Sequence, residues 1–371
     1  MAHSTGSTIE LPRTPTSMSV ELPTALGLDL SDVVSHFCVK RGDGRQLEVG
    51  EVQMAREDLS KVFTKWKGCR LVIEAGCHSP WVGRLGAECG MEVIVANPRQ
   101  VELISKSNRK TDVNDAALLA RMAVTPELLA PIVHRSQQAQ AHLAVLRSRD
   151  VVVRTRTGLI NHVRGVLKSS GFRAPSASAE SFGRRVLGYI PSELAAALLP
   201  IVNLIKAAND QIKAFGKEIA RLCKEEYPVT QLLQQIPGVG PVASLTFALT
   251  IDDPDRFTNT RSVGAYLGLV SRKRSSGESD PHLHITKAGD REMRRLLVLC
   301  ANYILGRFGP DCDLKRFGMK IVGDGTNKIA KKRARVAVAR KLAVLMLHLW
   351  KTGEVYDPFY LAKKRGQAVA I

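Results

Sequence analysis

Aromatic side chains are scarce, at 5% of the 371 residues, which argues against a surface that stacks long runs of bases on rings. Cysteine is present but unorganised. The seven thiols (Cys38, Cys69, Cys77, Cys89, Cys223, Cys300, Cys312) are odd in number and include no C-x-x-C pair. That speaks against a disulfide framework or a cysteine-built zinc site, and for reduced thiols in a cytoplasmic protein. Long apolar runs are missing as well; the best, near Leu342–Trp350, falls far short of the ~18 residues of a membrane span. Ser, Thr and Pro dominate the first twenty residues, which carry no secretory pattern and read as a disordered tail. The last shortfall is acid. Thirty-five Asp and Glu face 54 Lys and Arg, for a net charge of +19 and a pI near 9.9. Such an excess attracts polyanions, and nucleic acid is the usual partner; solubility alone or an anionic membrane surface are the alternatives.

What is present begins at Ala25, where apolar runs alternate with polar turns. Ala25–Leu30, Val33–Lys40 and Gln46–Val52 read as a three-stranded meander with a turn at Gly42-Asp43-Gly44. A helix over Ala55–Trp66, a strand over Arg70–Ile73, a helix from Ser79, a strand over Met91–Ala96 and a helix from near Asp112 follow. This order predicts an α/β layer fold with a mixed sheet. The middle of the chain has a different rhythm. Leu146, Val153, Ile160 and Leu167 recur every seven residues, and Ile201, Ile205, Ala208, Ile212, Phe215, Ile219 and Leu222 alternate four-three. The spacing predicts a helical coiled-coil arm that pairs with itself or with another subunit; ordinary bundle helices would give a similar stripe.

A third, mainly helical region opens at Ile236-Pro237-Gly238-Val239-Gly240-Pro241. That text suits a tight turn between helices, as in helix-hairpin-helix modules whose backbone amides hold a phosphate. Near the end, Lys328, Lys331, Lys332, Arg333, Arg335, Arg340 and Lys341 line one helix with no acid among them, a phosphate-facing stripe or a solvated face. The expected boundaries are a disordered tail over 1–22, an α/β domain over 23–130, the arm over 131–230, the third domain over 231–360 and a tail over 361–371.

Four carboxylates stand out. Asp29 lies in the apolar text Leu26-Gly27-Leu28-Asp29-Leu30, and Glu74 ends Leu71-Val72-Ile73. Burying a carboxylate is costly unless it is paired or holds a metal. Asp112 and Asp115, three apart, share one face at a helix start. Four acids converging would repel one another, and divalent cations relieve that; hard oxygen ligands suit Mg²⁺ or Mn²⁺. Each acid also has a plainer reading, as a turn residue or a partner for a helix dipole.

In this order the four acids resemble the D-E-D-D set of RuvC-like (RNase H fold) resolvases. The text Leu28-Asp29, Ile73-Glu74-Ala75-Gly76 and Lys110-Thr111-Asp112-Val113-Asn114-Asp115-Ala116 is more closely similar to the insertion-sequence "one-ten" transposases. The similarity continues through the Gly-Pro turn, Tyr266-Leu267-Gly268-Leu269-Val270, Ser275-Ser276-Gly277, Thr286-Lys287-Ala288-Gly289-Asp290, Arg294-Arg295-Leu296-Leu297, Ala337–Leu342 and Tyr356-Asp357-Pro358. The resemblance implies a RuvC-like domain, a coiled-coil linker and a C-terminal transposase domain with a nucleophilic serine. That serine corresponds to Ser276, with Ser275 in reserve; Glu278 and Asp280, just after Gly277, depart from the basic or small residues expected there. Arg272, Lys273, Arg274, Lys287 and Arg291 would clamp a phosphate beside it. The basic stripe, with Lys331, Lys332, Arg333 and Arg335, would follow the nucleic-acid backbone. The resemblance further implies DNA partners (element ends and target), a structured guide RNA, and assembly as dimers, two of them in a synapse. Two other readings stay open. One is a metal-dependent junction resolvase that uses water; the other is a non-catalytic nucleic-acid-binding protein.

Overall fold

The computed structural model describes residues 24–99, 111–123, 129, 131–274, 283–364 and 366. The chain divides into two compact units, residues 1–134 and 135–371. No helix among the described residues is long and apolar enough to cross a membrane.

The first unit is built on strands β1 (Ala25–Asp29), β2 (Val34–Lys40), β3 (Gln46–Gln53), β4 (Arg70–Glu74) and β5 (Glu92–Ala96) in one sheet of order β3-β2-β1-β4-β5. β1 pairs antiparallel with β2 and β2 with β3, whereas β4 runs parallel to β1 and β5 parallel to β4. The mixed sheet read from the sequence is therefore present. Strand alternation sends Leu26, Leu28, Phe37, Val39, Leu71, Ile73 and Val95 to one face. There they meet Leu59 and Phe63 of helix α1 (Arg56–Lys65) and Val82 and Leu85 of α2 (Ser79–Glu88). The intervening residues Ala25, Val72, Ile94 and Ala96 face the other way, against Leu119 and Met122 of α3 (Asp112–Met122).

α3 approaches the sheet unusually closely because β1 carries Gly27 beneath it. A Cβ on Gly27 would lie 2.1 Å from the Ala116 carbonyl oxygen and 2.4 Å from the Ala120 nitrogen. No side chain fits there. The N-terminus of α3 is capped by Thr111, whose hydroxyl accepts from the Asn114 amide, so Asp112 and Asp115 fall in its first turn, where helix-end charge favours acids.

The second unit opens with two long helices, α4 (Gln137–Ser169) and α6 (Ser192–Glu225), separated by the short α5 (Ala179–Arg185). Ala139, Leu143 and Leu146 pack with Ile219, Leu222 and Cys223, while Ile160, Val163 and Leu167 pack with Leu198, Val202 and Ile205. The start of α4 thus meets the end of α6: an antiparallel pair within one chain. Asp252 fastens its base, accepting from the Ser136 amide at 2.6 Å and hydroxyl at 2.9 Å.

The remainder is helical: α7 (Val229–Leu233), α8 (Pro241–Ile251), α9 (Val263–Tyr266), α10 (Arg291–Leu305), α11 (Asp313–Val322), α12 (Lys328–Thr352) and α13 (Tyr360–Lys364). Every residue of α8 from Ala243 to Ile251 is buried, and its Phe247 and Ile251 join Leu297 and Ile304 of α10 and Leu342 and Met346 of α12 in one core. The Gly-Pro text makes the tight turn expected between α7 and α8. Gly238 has φ +82°, a left-handed conformation that favours glycine, and a Cβ there would press on Tyr303 at 2.8 Å.

Candidate functional site

The sheet register gathers the acids of the first unit. Asp29, the last residue of β1, is the cross-strand partner of His36. On its other side Leu28 pairs with Ile73, so Glu74 ends β4 beside it. Asp112 and Asp115 come from α3, which covers the same face. Burial first, then the charges of Asp115, Asp112 and Glu74, push the Asp29 carboxyl up to about 6; His36 pulls it down. Burial contributes most to that rise and the three other carboxylates add to it, as four acids on one face of the sheet should. As they stand, no three His, Cys, Asp or Glu side chains among the described residues form a ready-made cation cage. The donor chemistry nonetheless fits a divalent ion, because four carboxylates offer hard oxygen donors and the charges of three of them bear on the fourth, Asp29.

Sequence reasoning missed two members of this row. Nε2 of His36 lies 3.2 Å from Oε1 of Glu51, its cross-strand partner on β3, and Nδ1 lies 3.8 Å from Oδ2 of Asp112. Neither residue sits in a distinctive motif. Only the pairing register of β1, β2 and β3 aligns them with Asp29.

The second unit carries the loop singled out for its serines. Ser275 and Ser276 themselves lie outside the described residues, as does the tail before residue 24. Their flanks form a two-stranded ribbon: Ser271 bridges Ile285, the Arg272 amide donates to His284 at 2.9 Å, and the Thr286 amide donates to Val270 at 2.8 Å. The ribbon's base is packed backbone to backbone. A Cβ on Gly268 would meet Ala288 at 2.3 Å, and one on Gly289 would meet the Tyr266 carbonyl at 2.1 Å. Arg294 ties this base together, donating through Nη1 to the carbonyls of Leu267 at 3.1 Å, Ala288 at 2.6 Å and Asp290 at 3.4 Å. Asp290, almost fully buried, caps α10 through the Met293 amide and faces Arg135 and Arg147 at 3.3 and 3.4 Å. Replacing Arg294 by Ala leaves three carbonyls without this donor, at about 1–3 kcal/mol per group left buried and unpaired. The expected outcome is faster amide hydrogen exchange at residues 284–289, with the distant α5 region unchanged, as read by mass spectrometry.

The predicted cationic contacts divide from the structural ones. Arg272, Lys273, Arg274, Lys287, Arg291, Lys331, Lys332 and Arg333 are exposed and Arg335 is partly so. None of the nine makes an ion pair among the described residues, whereas Arg135, Arg147, Arg154 and Arg295 are held by Asp150, Asp290 and Glu292. Lys328, Lys331 and Lys332 open α12 with no acid in its first turn, against the preference of a helix N-terminus for negative charge. Charge is also segregated by unit. Residues 135–371 hold 39 of the 54 Lys and Arg but only 19 of the 35 Asp and Glu, so the whole positive excess belongs to the second unit.

Of two matching family models, the first spans the first unit and the start of the second, and the second lies within the second unit. Residues 26–171 match the DEDD_Tnp_IS110 family model, described as a transposase, and residues 230–315 match the model described as Transposase IS116/IS110/IS902 family. The transposase for insertion sequence element IS1111A of Coxiella burnetii is 28% identical, over 89% of this chain and 90% of the relative. The probable family 20 transposase of Pseudomonas aeruginosa is 29% identical over 74% and 81% of the two chains. The transposase for insertion sequence element IS1328 of Yersinia enterocolitica is 27% identical over 76% and 84%. With both matched segments in order and relatives of this kind along most of its length, the chain belongs to the IS116/IS110/IS902 family of DNA transposases.

Proposed function

We propose that the protein moves its own insertion sequence by cutting and rejoining DNA, using a serine nucleophile on the basic unit and a metal centre in an RNase H-like first unit. The observation that carries this reading is the sheet register that ends β1 and β4 side by side at Asp29 and Glu74, on the face covered by α3, whose first turn holds Asp112 and Asp115. Those four residues would hold Mg²⁺ or Mn²⁺, which supplies charge neutralisation at a reacting phosphate. The chain's own work is to bind and aim the DNA. Exposed Arg272, Lys273 and Arg274 follow one strand of the ribbon and Lys287 and Arg291 lie near its base; they would grip a phosphodiester, while Lys331, Lys332, Arg333 and Arg335 of α12 would follow the backbone.

In the proposed step the Ser276 hydroxyl oxygen bonds to phosphorus as the bond to the leaving sugar oxygen breaks. The serine gives up its proton, the leaving oxygen gains one, and the DNA end stays attached as a phosphoserine ester. Attack by a sugar hydroxyl on that ester rejoins a strand and frees the serine. A structured RNA transcribed beside the gene would choose the target by base pairing, held by the protein through backbone and shape. The helical arm, with Val151 and Leu204 exposed along it, would bring two copies together, and two such dimers would form the synapse.

The test is to mix protein, element-end DNA, flanking RNA and Mg²⁺ and look on a denaturing gel for DNA attached to protein. The expected adduct is absent with Ser276→Ala. Cutting that persists in Ser276→Ala without any adduct would instead identify a nuclease that uses water.

A further inference from the structure

The acid centre has a nitrogen neighbour that an all-carboxylate set does not explain. Glu51, His36 and Asp29 are consecutive cross-strand partners on β3, β2 and β1, so their side chains share one face of the sheet, the face covered by α3. Within that row His36 is oriented at both ring nitrogens: Nε2 faces Glu51 at 3.2 Å and Nδ1 faces Asp112 at 3.8 Å. Both carboxylates can only accept, and Glu51 is the nearer; with the imidazole proton on Nε2, given to Glu51, the Nδ1 lone pair turns toward the acids, an arrangement that a cation between Nδ1 and Asp112 would favour. Histidines that ligate metals characteristically give their other N–H to a carboxylate, which fixes both tautomer and ring orientation.

We infer that His36 is an additional, nitrogen ligand of the divalent cation, through Nδ1, and that Glu51 is the carboxylate that orients it. The inference rests on the metal reading above and deepens it by naming a fifth donor. It also makes the centre selective. Mg²⁺ favours oxygen alone, whereas a mixed nitrogen and oxygen set favours a transition metal, so Mn²⁺ should bind more tightly than Mg²⁺. Were His36 only an electrostatic neighbour of Asp112, no nitrogen would touch the ion.

The deciding experiment uses the full, untagged chain with Mn²⁺ as the probe and needs no turnover. Electron spin-echo modulation of bound Mn²⁺ reports directly bonded ¹⁴N. The wild type should show that coupling. His36→Gln should lose it and bind Mn²⁺ about 10–100-fold more weakly by calorimetry. Glu51→Gln should keep the coupling with weakened affinity, since it loosens the imidazole without removing it. Bound Mn²⁺ without ¹⁴N coupling in the wild type, or coupling that survives His36→Gln, overturns the assignment of His36 and leaves the four acids as the ligands. Failure of the wild type to bind Mn²⁺ at all overturns both, by removing the metal centre itself.

Discussion

Replacing Asp29 by Asn should stop DNA cutting and strand transfer while making the metal-free chain more stable. The loss should be at least ~100-fold in rate, since disturbing even an outer partner of a metal site costs about 10–100-fold. The gain in stability follows from the position of the titration. Burial and the charges of Asp115, Asp112 and Glu74 raise the Asp29 carboxyl from 3.8 to about 6, so the folded chain holds this proton more tightly than the unfolded chain does. Stability from this group is therefore full below about pH 4 and is lost as pH rises through 6. At neutral pH the ionised carboxylate costs the fold about 1–2 kcal/mol once solvent screening of this partly exposed group is allowed for. Asn carries no charge and escapes that cost. Thermal melts at pH 7.5 without divalent ions should place Asp29→Asn a few degrees above the wild type, and melts at pH 4 should bring the two together. Adding Mn²⁺ should stabilise the wild type and leave the variant unmoved, because an ion that binds only the native site shifts the folding equilibrium by mass action. An acid kept at a cost in stability is the mark of a functional group; an Asn variant that melts lower at pH 7.5 would show Asp29 to be structural instead.

The second large effect lies one step back from the chemistry, at Gly27. Gly27→Val needs space that backbone atoms already fill, with the Ala116 carbonyl 2.1 Å and the Ala120 nitrogen 2.4 Å from the first added carbon. Backbone cannot rotate away as a side chain can, so α3 must lift from β1. Overpacking of this kind costs about 1–3 kcal/mol, and more where no flexible neighbour yields. The lift also carries Asp112 and Asp115 away from Asp29, since both ride on the first turn of that helix. Two readouts should therefore fall together: the melting temperature and the affinity for Mn²⁺. Low temperature should restore folding but not metal binding. Recovery of full affinity in the folded variant would mean that the close approach of α3 is irrelevant to the acids.

The two expectations differ in how they could be found. Asp29 and Glu74 announce themselves, because an acid at the end of an apolar strand is chemically conspicuous in the text alone. Gly27 does not: a glycine in Leu26-Gly27-Leu28 is compatible with a bulge, a weak strand or a close contact, and only the packed helix distinguishes them. The same holds for the arm. Its four-three apolar spacing fixes the helices, but the same stripe suits a partner in another chain or in this one. The packing of Leu143 and Leu146 with Ile219 and Leu222, and of Ile160 and Val163 with Val202 and Ile205, selects the antiparallel pair within the chain.

Local chemistry, then, was readable from the order of residues: strand and helix periods, two acids on strand ends, two more on a helix start, and a positive excess confined to the later part of the chain. These properties depend on neighbours in sequence, and period and composition report them directly. Which residues meet across the sheet was decided only by tertiary structure. His36 and Glu51 join Asp29 because strand pairing converts distant positions into one row, and Arg294 grips Leu267, Ala288 and Asp290 because the ribbon folds back on itself. A one-residue change of register would turn His36 to the opposite face while leaving its sequence neighbours the same, and no local pattern encodes that choice.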